Sequence, residues 1–414
     1  MTKQTFVIVG ASLAGAKAAE TLREEGFDGR VVLIGEEPER PYERPPLSKD
    51  YLRGEPDAKP YVHDESFYAE NEIELRISTR VERIDPDTSQ VSLSGGEMLG
   101  FDRLLLATGA RPRQLPVPGA DLQGVLYLRT VADSEAIRER IDGGARLVTI
   151  GAGWIGAEVA ASARQKGCDV TILQRAQLPL ERVLGPELGA IYRDIHTDNG
   201  VQVIGGASVE AIEGPGEVTA VRLADERRID ADVVVVGVGV DPRTELAETA
   251  GLALDHGVAV DAHLRTSAEN IYAGGDVANA QHPFYDTRIR VEHWANALNQ
   301  GPAAARNMLG QSAPYDRIPY FFSDQYDVGM EYSGYATDWD EIAFRGDPAS
   351  REFIAFWLKD ERVLAGMNVN VWDVNEHIQA LIRARRQIDR GRLADADLPL
   401  ADLVPAESSS AADG

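Results

Sequence analysis

Val7-Ile8-Val9-Gly10-Ala11-Ser12-Leu13-Ala14-Gly15 and Val148-Thr149-Ile150-Gly151-Ala152-Gly153-Trp154-Ile155-Gly156 are the two stretches whose reading decides the fold. Each begins as a short β-branched run, turns through glycine, and continues into small residues that let a helix pack closely on the strand. Around them the pattern predicts strands at Thr5 to Val9 and Arg146 to Ile150. Helices are expected at Ala16 to Glu25 and Ala157 to Lys166, and second strands at Arg30 to Ile34 and Asp169 to Leu173. One glycine-rich turn is weak evidence, because an ordinary strand-to-helix turn resembles it. Two complete βαβ units about one domain apart imply two bound dinucleotides, the usual pair being a flavin and a nicotinamide.

In the first unit Gly10 permits the tight turn, while Ala14 and Gly15 keep the helix close to the strand. The helix N-terminus then offers free N–H groups to a diphosphate. Ser12 stands where the second glycine of the fingerprint belongs, and is small enough to let phosphate approach the backbone. Glu36 lies 21 residues after Gly15, at the end of the next strand, where a carboxylate accepts hydrogen bonds from a ribose diol. The second unit has all three glycines, Gly151, Gly153 and Gly156, but its second strand ends in Gln174-Arg175 instead of an acid. Gln174 can still bond a hydroxyl. Two readings of Arg175 stand side by side: a partner for the 2′-phosphate of NADPH, or a solvated loop residue beside an NADH site.

The 414 residues suffice for two or three domains, and 43% hydrophobic against 26% charged residues is ordinary for a globular protein with a substantial core. A formal net charge of −25 argues against nucleic acid or an anionic membrane as partner. No signal peptide is evident, since the strand pattern begins at Thr5. The longest apolar run, Ala231 to Val240, contains Asp232, is too short to span a bilayer, and reads as one buried parallel strand. Cys168 is the only cysteine, which excludes a redox disulfide within the chain and suits a reducing cytoplasm. It reads as a small buried residue. The tail Pro405 to Gly414 reads as disordered, and no metal site is expected.

The motifs between the glycine turns resemble the NADH-dependent ferredoxin reductases that serve bacterial oxygenases, the putidaredoxin reductase and biphenyl dioxygenase reductase group, together with the rubredoxin reductases. Pro41-Tyr42-Glu43-Arg44-Pro45-Pro46-Leu47-Ser48-Lys49 is similar to their flavin-contacting loop. Leu104-Leu105-Leu106-Ala107-Thr108-Gly109-Ala110 is similar to the motif where the chain leaves the flavin domain, and Ile271-Tyr272-Ala273-Gly274-Gly275-Asp276 to the second flavin motif. Val291-Glu292-His293-Trp294-Ala295-Asn296-Ala297 and Phe322-Ser323-Asp324-Gln325-Tyr326-Asp327 resemble the group more specifically than the glycine patterns do.

The resemblance covers roughly residues 5 to 400. It implies an α/β fold with two Rossmann-like, three-layer nucleotide-binding domains of glutathione-reductase type and an α+β C-terminal domain. The FAD domain is expected in two pieces, 1–112 and 242–318, with the NAD(P)H domain, 113–241, inserted between them and the C-terminal domain at 319–404. Ala14, Glu36, Arg44, Lys49, Val81, Arg129, Asp276 and Trp294 match positions that touch FAD in the family, with Asp276 toward the ribityl chain. Ile155 to Glu158 match the segment beside the nicotinamide.

The implied reaction takes a hydride from NADH or NADPH and passes single electrons to an iron–sulfur ferredoxin or rubredoxin, a conversion that flavin supports. Lys49 is the expected cation near the flavin, and the resemblance pairs it with Glu158, placed by the spacing in the first turn of its helix. The competing readings are a solvated loop lysine and an acid that simply favours a helix N-terminus. His293 is expected to pack or hydrogen-bond, not to act as a base. The chain departs from the family at Pro319-Tyr320-Phe321-Phe322-Ser323-Asp324-Gln325-Tyr326, where oxygenase-type members carry two tryptophans, which puts partner identity in doubt. Arg383, Arg385, Arg386, Arg390 and Arg392 form a basic cluster that either steers an acidic ferredoxin or lies on a solvated helix face. Rival readings are an NADH oxidase-like flavoprotein and a redox-sensing protein of the apoptosis-inducing-factor type. A monomer or homodimer is expected.

Overall fold

The computed structural model describes residues 3–56 and 58–404, so the expectation for the tail falls outside the described residues. These residues form two compact units: those up to Glu181 with Leu188–Arg317, and Arg182–Glu187 with those from Ile318 onward.

The larger unit holds two five-stranded parallel sheets. The first runs, edge to edge, Ile271–Ala273, Arg103–Leu106, Thr5–Val9, Arg30–Ile34, Ile73–Arg76. The second runs Gln202–Ile204, Asp169–Leu173, Arg146–Ile150, Val233–Val236, Val125–Tyr127. In both, the strand that opens the glycine turn is central. Val7 pairs with Val32 on one side and Leu104 on the other, and Val148 pairs with Thr171 and Val234. Being covered on both faces, these strands read as nearly continuous apolar runs, and Val7, Ile8, Val31 to Leu33, Leu104 and Leu105 are fully buried. Each sheet is accompanied by a three-stranded antiparallel sheet, Val81–Asp85 with Gln90–Leu93 and Met98–Gly100, and Val209–Glu213 with Ala220–Leu223 and Arg228–Asp230. An antiparallel ribbon, Ala110–Pro112 against Val240–Pro242, carries the chain between the two nucleotide folds.

Three expectations are corrected. The helices span Leu13–Glu24 and Trp154–Gln165, beginning three residues earlier than the sequence pattern suggests. Gly15 and Gly156 are therefore inside the first turn. A Cβ on Gly15 would lie 2.0 Å from the Gly10 carbonyl oxygen, and one on Gly156 2.1 Å from that of Gly151, so each glycine lets its helix close against the turn before it. As a consequence Glu158 sits in the second turn, with no acid in the first, and attraction to the helix N-terminus no longer accounts for it. Finally, Ala231 to Val240 is not one strand. Val233–Val236 is the parallel strand, and Val240–Pro242 belongs to the ribbon. The break falls at Gly237 to Gly239, where Gly239 takes φ +109°, a conformation closed to β-branched residues.

The smaller unit is an antiparallel sheet in the order Tyr320–Gln325, Val328–Gly334, Arg362–Val369, Glu352–Lys359, Glu341–Asp347. Trp357 is its largest buried side chain, and its indole Nε1 donates to the Leu184 carbonyl at 3.2 Å. The arginine cluster does not form one helix face. Arg383 lies in the last turn of the helix Asn375–Ala384, Arg385 caps it at φ 49°, and Arg390 and Arg392 lie on the next short helix, Arg390–Ala394.

Candidate functional site

The turn at Gly10 takes φ +120°, and a Cβ there would stand 2.1 Å from the Ala107 carbonyl oxygen, so only glycine closes it. Ser12 occupies the N-cap of the following helix, but its side chain makes no capping bond, and the first turn carries no acid. The free N–H groups thus face outward with their partial positive charge intact, the arrangement that suits a phosphate. Next to them is a cavity of about 480 Å³. It is lined by six of the residues expected to touch FAD: Gly10, Ser12, Glu36, Arg44, Val81 and Arg129. Ala14, Lys49, Asp276 and Trp294 lie outside that lining.

Arg129 is delivered by the capping box of the helix Val131–Ile141. The Asp133 carboxylate accepts from the Arg129 N–H at 3.0 Å and the Thr130 N–H at 2.8 Å, which sets the backbone before the helix starts. Its guanidinium reaches Asp276 at 2.8 Å. Burial, and then the nearby Arg44, pull the Arg129 pKa down, with Asp276 opposing. The Arg129 Nε is buried with no hydrogen-bond partner, a donor still open to a ligand. Arg44 bonds the Arg129 carbonyl and reaches Glu37 at 3.2 Å. Trp294 Nε1 donates to Glu43, whose carboxyl burial pushes up and the indole bond draws down. His293, at the N-cap of the helix Trp294–Met308, is pushed down to about 4 by desolvation and is neutral at pH 7.

Lys49 and Glu158 come together as the sequence reading proposed, at 2.8 Å, with side chains 11% and 4% exposed. The Ser48 hydroxyl also donates to Glu158, at 2.5 Å, and Lys49 Nζ donates to the Pro45 carbonyl at 3.2 Å. The loop is held from below by Ser134 on the Leu47 carbonyl, 2.8 Å, and Ser162 on the Ser48 carbonyl, 2.7 Å. Because Glu158 and Ser162 share a face of the helix Trp154–Gln165, the loop is fixed to the second nucleotide fold at two successive turns.

In that second fold Gly151 takes φ +104° and packs against the Gly237 carbonyl, where a Cβ would come within 2.3 Å. A Cβ on Gly153 would instead meet no atom within 4 Å, so this glycine borders open space at the helix N-terminus. Ile155 is 47% exposed in the first turn. Gln174 is buried, with its Nε2 lacking a hydrogen-bond partner, and Arg175 is exposed. Both glycine turns therefore fit a dinucleotide diphosphate. Cys168 is buried, its Sγ donating to the Ile141 carbonyl at 3.3 Å, and desolvation raises its pKa, which makes it inert.

Residues 4–301 match the family model described as pyridine nucleotide-disulphide oxidoreductase, and residues 320–404 match the reductase C-terminal model. The chain belongs to the pyridine nucleotide-disulphide oxidoreductase family. Among its relatives is the putidaredoxin reductase of Pseudomonas putida, 39% identical over 97% of this chain and 96% of that protein. Another is the biphenyl dioxygenase system ferredoxin–NAD(+) reductase component of Paraburkholderia xenovorans, 38% identical over 97% and 99%. Of solved structures, the covalent putidaredoxin reductase–putidaredoxin complex matches at TM-score 0.93 and 38% identity, covering 98% of this chain and 99% of that one. The ferredoxin reductase for the CYP199A2 system from Rhodopseudomonas palustris matches at TM-score 0.93 and 37% identity, over 97% and 100%. Members of this oxidoreductase family use FAD with NAD(P)H, and the two glycine turns described above fit those two groups. With Cys168 as its sole cysteine, this member lacks the disulfide of the family's name.

Sequence reasoning missed Arg243, Glu43 and Ser48. Arg243 lies on the rim of the cavity, bonded to Glu36. Nothing local in Asp241-Pro242-Arg243 points to a partner just beyond a strand end two hundred residues earlier.

Proposed function

We propose that the chain is an NAD(P)H-dependent ferredoxin reductase. It passes electrons from the nicotinamide through FAD to a small iron–sulfur protein, a ferredoxin or rubredoxin, that supplies a cytochrome P450 or a dioxygenase. One observation carries the reading: two dinucleotide cradles share one compact unit, and the sole cysteine is buried and far from thiolate character. With no dithiol to receive electrons, they leave the flavin for an external acceptor. FAD held there would supply the conversion of a two-electron hydride into single electrons.

The chain's own residues bind, orient and hold charge. Gly10 to Gly15 with Glu36, Arg44, Val81, Arg129, Asp276 and Trp294 hold FAD, and Gly151 to Gly156 with Ile155, Gln174 and Arg175 hold the nicotinamide dinucleotide. Lys49 supplies a cation beside the flavin, kept in place by Glu158, Ser48 and the Pro45 carbonyl. In this reading residues 1–112 with 242–318 are the FAD domain, 113–241 the NAD(P)H domain and 319–404 the reductase C-terminal domain. The protein works in the cytoplasm as a monomer or homodimer. Its net charge of −25 disfavours nucleic acid and membrane, and no helix among the described residues is long and apolar enough to cross a bilayer.

The deciding experiment is cytochrome c reduction by the purified protein with NAD(P)H. Fast turnover only after a ferredoxin is added supports the proposal. Fast oxygen consumption without one selects the oxidase reading, and slow turnover with dimerisation on nicotinamide binding selects the redox-sensor reading.

A further inference from the structure

Arg243 is bound at both ends to the flavin fold. Its N–H donates to the Gly109 carbonyl at 3.0 Å, and its own carbonyl accepts from the Thr108 hydroxyl at 2.9 Å. Its guanidinium grips Glu36 through two nitrogens, one on each carboxylate oxygen, with Nη2 to Oε2 at 3.1 Å. The hydrogen bonds from Arg243 are the main reason that the Glu36 carboxyl stays below the usual carboxylate range, against the opposing pull of burial. Both side chains line the 480 Å³ cavity that also holds Gly10 and Ser12.

A carboxylate has about four acceptor directions, two on each oxygen. The planar fork of an arginine takes one on each oxygen and fixes the plane of the group. The remaining direction on each oxygen points outward to its own side of the carboxylate, so one of them is free to accept from a single ribose hydroxyl. We propose that Arg243 is a positioning residue for the adenosine ribose of FAD: it orients the Glu36 carboxylate so that one of its oxygens receives the 2′-hydroxyl. Arg243 thereby ties cofactor capture to the ribbon Ala110–Pro112 and Val240–Pro242, since it follows directly on the second of these strands. The inference rests on the placement of FAD in the first glycine turn.

The test uses the full-length chain freed of flavin, titrated with FAD and with its 2′-deoxyadenosine analogue. Wild type should prefer FAD by about tenfold, the worth of a hydrogen bond to a charged acceptor. Arg243→Gln and Glu36→Gln should each weaken FAD binding by about tenfold and abolish the preference, and the double variant should be no worse than either. Arg243→Lys, which keeps charge but not the fork, should recover little of the preference. A merely structural role would lower affinity for both probes alike. Full preference in Arg243→Gln, with its melting temperature unchanged, overturns the proposal for Arg243. Full preference in Glu36→Gln overturns the placement of the ribose itself, and the proposal with it.

Discussion

Lys49 and Glu158 form a buried ion pair, 2.8 Å apart, between the loop that follows the first nucleotide unit and the helix that opens the second. Removing the cation alone leaves a buried carboxylate without its ion-pair partner, a loss on the order of 3 kcal/mol. Lys49→Met should therefore lower the melting temperature, and Lys49→Met with Glu158→Gln should recover most of it. Neither should recover flavin reduction by NAD(P)H, expected to fall about 100-fold as when one preorganised electrostatic contact is lost, while FAD content stays near stoichiometric. Stopped-flow reduction rates equal to wild type would remove Lys49 from the reaction.

The glycines of the second turn separate folding from binding. Gly156→Ala places a methyl 2.1 Å from the Gly151 carbonyl oxygen and must displace the helix, costing about 1–3 kcal/mol. Gly153→Ala meets no protein atom within 4 Å. It should unfold at the wild-type temperature yet raise the KM for reduced nicotinamide about tenfold or more, because its methyl enters the space left for the diphosphate. An unchanged KM in Gly153→Ala would show that the diphosphate lies elsewhere.

Coenzyme choice turns on Gln174 and Arg175. A neutral amide with an unused donor and an exposed arginine do not repel a 2′-phosphate as a carboxylate would. The enzyme should accept NADH and NADPH with kcat/KM values within about tenfold, and Gln174→Glu should shift the ratio toward NADH by about tenfold. Arg175→Ala should affect NADPH alone. A strong NADH preference in the wild type would reduce Arg175 to a loop residue.

His293 predicts an acid-side loss of stability. Unfolded, the imidazole takes a proton near its ordinary 6.5; folded, it stays neutral down to about 4. Between those values the unfolded state binds more protons, so stability falls as pH drops through that window, by up to roughly 3 kcal/mol. Denaturant titrations at pH 7 and pH 4.5 should show a smaller drop for His293→Gln than for wild type, a comparison in which carboxylates such as Glu36 largely cancel. Equal drops would mean that the ring is not shielded from water.

The nucleotide folds were legible because their signals are local. A strand, a glycine turn and a helix within about twenty residues follow from backbone sterics and apolar periodicity alone, and Glu36, Gln174 and Cys168 could be placed from their distance to those turns. Helix starts were misjudged because the third glycine looks like a breaker, whereas its missing Cβ is what lets the first turn lie against Gly10 or Gly151. The strand at Ala231 to Val240 was read too long because hydrophobicity does not register the positive φ of Gly239.

Sequence alone thus determined the two dinucleotide units, the lack of a redox disulfide and the acidic, cysteine-poor character of the chain, all properties of neighbouring residues or of composition. The resemblance named Lys49 and Glu158 as partners, but only tertiary structure decided that Ser48 joins them, and that Glu158 falls in the second turn of its helix. It also decided that Arg243 reaches Glu36 across 207 positions and Trp294 reaches Glu43 across 251. Such pairs arise when sheets and loops close on one another, and a chain's local pattern carries no record of which distant charge it will meet.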